Sequence, residues 1–310
     1  MVNYKIVENY KDYGKCLSIS NGVIETLVTL DIGPRIIYFS FVDGINVMQD
    51  NRSVFAPVEG EAFDKHYYKG AKWENYGGHR LWTSPESLPE TYYPDCQPVN
   101  YEINGNAVTF TPPQQIENGI ALSFQITMED DSNKMTVLHK GKNISNVSKQ
   151  FALWALSVMA TGGVEIIPLN TCDTGLLPNR RIVLWPYSKA LDGRFYLGEK
   201  YVTLKQDTNA TCPFKLGTDC EAGIGYYCLD DVVFTKEYNH DTTSEYPDGG
   251  VSYETYTNEA FLEFETLGAL KLVAPDEITT HEEVFALYHK PCEFDPKDEA
   301  SIDEFISQLN

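Results

Sequence analysis

Apolar and polar residues alternate along much of the chain. Across residues 121–128 (ALSFQITM), Leu122, Phe124, Ile126 and Met128 fall on one side and Ser123, Gln125 and Thr127 on the other. That period of two is the signature of a half-buried strand. Stretches 35–41, 106–112, 151–159, 251–256, 261–266 and 282–288 are similarly rich in β-branched and aromatic residues, and each predicts a strand. Asp43-Gly44 and Asn104-Gly105 lie between such runs and predict tight hairpin turns, with Asp192-Gly193 as a third candidate. One helix is expected, over 296–309. Asp295 would cap it, Pro296 suits its first turn, and Ile302, Phe305, Ile306 and Leu309 form an apolar stripe that should pack outside the sheets.

These elements predict an all-β sandwich running as one domain over residues 1–310. The stretch 51–98 departs from the pattern. It has few alternating runs, several Gly and Pro, and many Tyr and Trp. A loop this long in a compact domain is usually functional or disordered, and its aromatic content favours order. An ordered excursion over the mouth of the sandwich is expected.

Composition narrows the partners. With 24 basic and 45 acidic residues the net charge is −21, a surface that repels phosphate backbones and anionic headgroups, so neither nucleic acid nor membrane is an expected partner. The seven cysteines, at 16, 96, 172, 212, 220, 228 and 292, include no C-x-x-C pair and suggest neither a disulfide framework nor a zinc site. The N-terminal residues lack an apolar signal core, which points to the cytoplasm. No phosphate loop, dinucleotide fingerprint or nucleophile elbow is present, and the six histidines lack metal-ligand spacing, so no metal and no cofactor are expected.

Four segments could carry chemistry. In Asn75 to Glu86, with Trp73 just before it, either Gly77 and Gly78 let the backbone approach a ligand, His79 and Arg80 supply donors, and Trp73, Tyr76 and Trp82 supply flat faces on which a sugar can stack, or the glycines form a simple turn and His79-Arg80 a structural pair. His139 alternates with Met135 and Val137 and so shares their face, either as a neutral hydrogen-bonded core residue or as a general acid. Glu263 and Glu265 share the face opposite Leu262 and Phe264; they form either a solvated strand face or a general base. Lys236, with the turn at 246–250, is either a ligand contact or a routine strand residue.

Taken in order, these segments resemble the galactose mutarotase-like superfamily, and more narrowly its uncharacterised DUF4380-type branch. The matching pieces are Gly33-Pro-Arg-Ile-Ile, Tyr76-Gly-Gly-His-Arg-Leu-Trp with Pro85-Glu86, His139 to Asn143, Trp154 with Thr161-Gly-Gly and Pro168, and Glu254-x-Tyr-Thr-Asn through Glu263-x-Glu-Thr-Leu-Gly. The resemblance implies a supersandwich, two large twisted antiparallel sheets with a sugar cleft on a concave face. It also implies an aldose 1-epimerase-like reaction, with His139 as acid and Glu265 as base. The sugar would be held by His79, Arg80, Trp82 and Trp154, with Arg35, Lys236 and Glu263 as further contacts. The implied partner is a small carbohydrate, and a protein of this fold that binds the sugar without chemistry is the alternative.

Overall fold

The strand Ile120–Met128 buries every second side chain along its whole length, as its alternation requires. Its hairpin partner Lys134–Asn143 does the same, with Met135, Val137 and His139 on the buried side. In the computed structural model, which describes residues 1–309, such strands assemble into two large antiparallel sheets.

The eleven-stranded sheet carries, as neighbours, Ile36–Phe41, Gly78–Ser84, Lys149–Met159, Leu262–Leu267, Tyr253–Thr257 and Phe214–Thr218. The ten-stranded sheet carries Val164–Pro168, Ile224–Leu229, Val232–Tyr238, Ile278–His289, Lys134–Asn143 and Ile120–Met128. The main core lies between them. Ile36, Phe39, Met159, Phe214, Leu216, Leu262 and Phe264 from the first meet Phe124, Met135, Val137, Phe234, Phe285 and Leu287 from the second. Burying a side chain of this size contributes about 1.5–3 kcal/mol, so this layer supplies most of the driving force.

Turn chemistry differs in detail from expectation. In the hairpin joining Asn100–Asn104 to Ala107–Thr111, Asn104 already pairs with Ala107, so the two-residue turn is Gly105-Asn106. Gly105 takes the positive φ of +62°. At Asp43-Gly44 the chain does reverse, but the returning arm forms no strand of its own: the Val47 amide donates to the Phe39 carbonyl and Met48 bridges to Met159.

The excursion 51–98 is not all loop. It contains the helix Glu61–His66 and the central strand Gly78–Ser84. Its aromatic residues Phe63, Trp73, Tyr67 and Tyr92 pack on Trp82, Trp154, Leu156 and Leu267, covering part of the outer face of the eleven-stranded sheet. The C-terminal helix is shorter than expected, Glu299–Ser307, because Asp298 rather than Asp295 takes the extended cap conformation and accepts from the Ala300 amide. Ile302 and Phe305 pack on Ile166, Tyr226 and Val233, the outer face of the ten-stranded sheet. No helix among the described residues is long and apolar enough to cross a membrane.

Candidate functional site

Side chains on adjacent strands of the eleven-stranded sheet line up across register. Arg80 lies opposite Leu156, Leu156 opposite Glu265, Glu265 opposite Glu254, and Glu254 opposite Gly217, two residues along from Lys215. Because alternate residues face alternate sides, Arg80, Trp82, Trp154, Lys215, Glu254, Glu263 and Glu265 all point away from the inter-sheet core. Of these, Trp154, Lys215 and Glu254 line the floor of a cleft of about 370 Å³ together with Glu86, Ser87, Leu88, Trp185 and Asp248, while Arg80, Trp82, Glu263 and Glu265 are buried beside or beneath them.

One ammonium organises this floor. Lys215 Nζ lies 2.7 Å from Glu254 Oε2 and 3.4 Å from Glu265 Oε2, and 4.6 Å from the ring centres of both Trp154 and Trp185. Trp154 Nε1 donates to Glu265 Oε2 at 2.9 Å. Beside it Arg80 donates to Glu263 at 2.8 Å, its guanidinium stacked over Trp82 at 4.1 Å and near Trp73 at 5.3 Å. Glu265 Oε1 and the Nε and Nη1 of Arg80 have no protein partner. Burial pushes Glu265 up to about 7 against the pull of Lys215. Burial also raises Glu254 well above its ordinary value, against the same lysine. The carboxylates outweigh burial at Lys215 and hold it protonated. Burial and their mutual repulsion disfavour ionising both carboxyls together, so the floor can hold one proton donor beside one proton acceptor.

The other face of the same strands carries a second polar cluster, sealed between the sheets. His79 Nε2 lies 2.8 Å from His139 Nε2, and His139 Nδ1 donates to the His281 carbonyl at 3.0 Å. Lys236 Nζ lies 3.1 Å from Glu283 Oε1 and donates to the Phe264 carbonyl at 2.9 Å. His79, His139, Lys236 and Glu283 are all fully buried. Burial and the nearby Lys236 keep His79 neutral; burial and His281 do the same for His139.

No protein-family model and no curated protein sequence matches the chain. Solved structures do. A galactose mutarotase-like protein from Lactobacillus casei superposes with a TM-score of 0.58 at 11% identity, over 88% of this chain and 100% of that one. The chain has the galactose mutarotase-like fold. A galactose mutarotase related enzyme from Lactobacillus acidophilus gives 0.50 at 8% identity, over 90% and 99% of the two chains. A TPR-domain containing protein from Parabacteroides distasonis gives 0.59 at 13% identity over 90% of this chain, which matches 48% of that larger protein. Identities this low carry the fold alone, and the narrower likeness to the DUF4380-type branch has no matching family model behind it.

Within the mutarotase-like sandwich the expected site residues divide. Glu265, Glu263, Arg80, Trp82 and Trp154 come together on the outer face of the eleven-stranded sheet, and of them Trp154 lines the cleft. His139, His79 and Lys236 do not: they lie between the sheets, on the far side of the strands that carry Glu265. His139 and Glu265 therefore cannot grip one sugar ring, and the expected acid–base pair is corrected. His139 has the alternative fate open to it from the start, a neutral hydrogen-bonded core residue. Arg35 is set apart from the cleft, held by Asp95 and the Pro34 and Asn75 carbonyls, and lining a separate cavity of about 50 Å³ with Tyr93 and Pro94. Gly77 and Gly78 are glycines for the sake of a neighbouring backbone, not a ligand. A Cβ on either would come within 2.1 Å of the Gln49 carbonyl oxygen or 2.4 Å of that of Ile36. Lys215 and Trp185 carry no sequence mark that separates them from ordinary residues, while Asp248 belongs to the turn at 246–250 already singled out. Glu254 lies within a recognised strand, and only its register against Glu265 reveals it.

Proposed function

We propose that the outer face of the eleven-stranded sheet binds a small carbohydrate and moves protons at its anomeric centre, as an aldose 1-epimerase does. Glu265 is the base, and Glu254 takes the acid role in place of His139. The observation that carries this reading is the pair Glu254 and Glu265, cross-strand neighbours bridged by Lys215 beneath Trp154 and Trp185. In the reaction, the ionised carboxylate removes the proton of the anomeric hydroxyl while the protonated carboxyl donates to the ring oxygen. The ring opens, rotates about C1–C2 and closes with the roles reversed. Each proton-transfer role typically accounts for about 10²–10⁴-fold in rate. The indoles of Trp154 and Trp185 supply flat apolar surface to the sugar's C–H faces, and Glu86, Ser87 and Asp248 in the cleft lining supply partners for its hydroxyls.

Charge selects among sugars. Against Arg80 and Lys215 stand Glu86, Asp248, Glu254, Glu263 and Glu265, so the cleft favours neutral sugars over phosphorylated or uronic ones. The work would take place in the cytoplasm, where the seven cysteines remain thiols.

A second reading, sugar binding without chemistry, is favoured by one observation: Glu265 is fully buried under Lys215 and Trp154. Saturation-transfer NMR on aldose anomers separates the two. Accelerated α-to-β exchange for a neutral aldose, abolished in Glu265→Gln, supports catalysis. Saturable binding without acceleration leaves the binding reading, and neither effect with any neutral aldose overturns both.

A further inference from the structure

The polar cluster between the sheets contains more than a hydrogen-bonded histidine pair. Among the described residues, His79, His139 and Glu283 are the only three His, Cys, Asp or Glu side chains whose ligand atoms all lie within 4.8 Å of one another. The separations are 2.8 Å between the two Nε2 atoms, 3.6 Å from His79 Nε2 to Glu283 Oε2, and 3.8 Å from His139 Nε2 to the same oxygen. A tetrahedral zinc ion with bonds near 2.0–2.1 Å holds its ligands about 3.3 Å apart, between the shortest and longest of these.

The groups behind the ligands fit the same end. His139 donates its Nδ1 proton to the His281 carbonyl, which leaves Nε2 as the lone-pair nitrogen. His79 Nδ1 lies 2.9 Å from Ser157 Oγ, a hydroxyl that can accept the Nδ1 proton and free Nε2 in turn. One carboxylate oxygen of Glu283 is held by Lys236 and Thr266. The other, Oε2, is fully buried and has no hydrogen-bond partner, and it is the oxygen that faces both Nε2 atoms. A buried carboxylate oxygen without a partner is costly, typically about 1–3 kcal/mol or more, and such atoms are uncommon in native structures.

We propose that His79, His139 and Glu283 form a binding site for a divalent transition-metal ion of the zinc type. The three ligands come from strands of both sheets, Gly78–Ser84, Lys134–Asn143 and Ile278–His289, so the ion clamps one sheet to the other. All three are fully buried, so the ion enters before the sheets close and acts as a structural element, apart from the cleft chemistry. This inference does not depend on the sugar reading.

The test is metal content, read directly. Wild-type protein is denatured, stripped with chelator, and refolded with Zn²⁺ or Co²⁺, then dialysed against EDTA and analysed by mass spectrometry of the elements. About one equivalent per chain retained is expected, with the visible absorption of four- or five-coordinate Co²⁺ on nitrogen and oxygen ligands. His139→Asn and Glu283→Gln should each lower retention to about a tenth or less. Less than about 0.1 equivalent in refolded wild type overturns the proposal whatever the variants do. So does full retention by either variant, or a thiolate-to-cobalt charge-transfer band, which would place the ion on cysteines.

Discussion

The two faces of the eleven-stranded sheet carry polar clusters of similar make-up and opposite circumstance. Arg80, Lys215, Glu254, Glu263 and Glu265 point outward beside the indoles of Trp82 and Trp154, and of them Lys215 and Glu254 line the solvent-open cleft. His79 and its neighbours His139, His281, Lys236 and Glu283 are walled in by Phe124, Phe234, Phe264 and Phe285. Residues 79 and 80 are chain neighbours, yet the pleat sends them to different sides of the sheet. The lesson is that a titratable group's chemistry is set by its face. On the cleft side a shared proton can be exchanged with a ligand. Between the sheets, the same kind of network can only hold the structure, or an ion, in place.

The largest effect should come from emptying the sealed cluster. Glu283→Ala leaves the Lys236 ammonium buried without its carboxylate, and breaking such a pair from one side typically costs about 3–5 kcal/mol. Urea denaturation should show that loss, while the remaining folded fraction binds sugar as before. A variant of full stability that had lost sugar affinity would collapse the division between the faces.

On the cleft side the reverse pattern is expected. Glu265→Gln should lower the anomerisation rate by about 10²–10⁴-fold, with fold and sugar affinity retained. His139→Gln should lower stability and leave the rate per folded molecule intact. Anomerisation that fails in a fully folded His139→Gln protein would return the imidazole to the reaction and break the comparison from the other side.

Much of this arrangement was legible in the sequence, but unevenly. Period-two alternation placed Glu263 with Glu265, opposite Phe264, and it placed His139 with Met135 and Val137. It did not settle which face of which sheet was open. The glycines at 77 and 78 hid the strand that begins at Gly78, so His79 and Arg80 were expected to serve one ligand together, which no extended strand permits. Cross-strand register was out of reach altogether. Glu254 meets Glu265, and Glu283 meets the two histidines, through pairings between segments that no local pattern specifies. The indole sandwich around Lys215 is likewise a product of three separate strands and loops.

The smallest effect sharpens the electrostatic half of the comparison. Burial raises the Glu265 carboxyl to about 7, against an ordinary value of 4.5. A carboxyl that binds its proton more tightly when folded stabilises the fold fully below the unfolded value, and that contribution is lost as the pH climbs through the folded one. The window therefore runs from 4.5 to about 7. Lys215 adds no slope there, because an unfolded lysine stays protonated throughout it. Glutamine keeps the shape without the titration, and the contributions of groups that do not interact with Glu265 cancel in the difference between the two proteins. The stability of Glu265→Gln relative to wild type should thus rise between about pH 5 and pH 8, by roughly 1–3 kcal/mol, as measured by paired urea titrations. A flat difference would mean that Glu265 is ionised well below neutrality, and the proton shared with Glu254 would have to be sought elsewhere in the cleft.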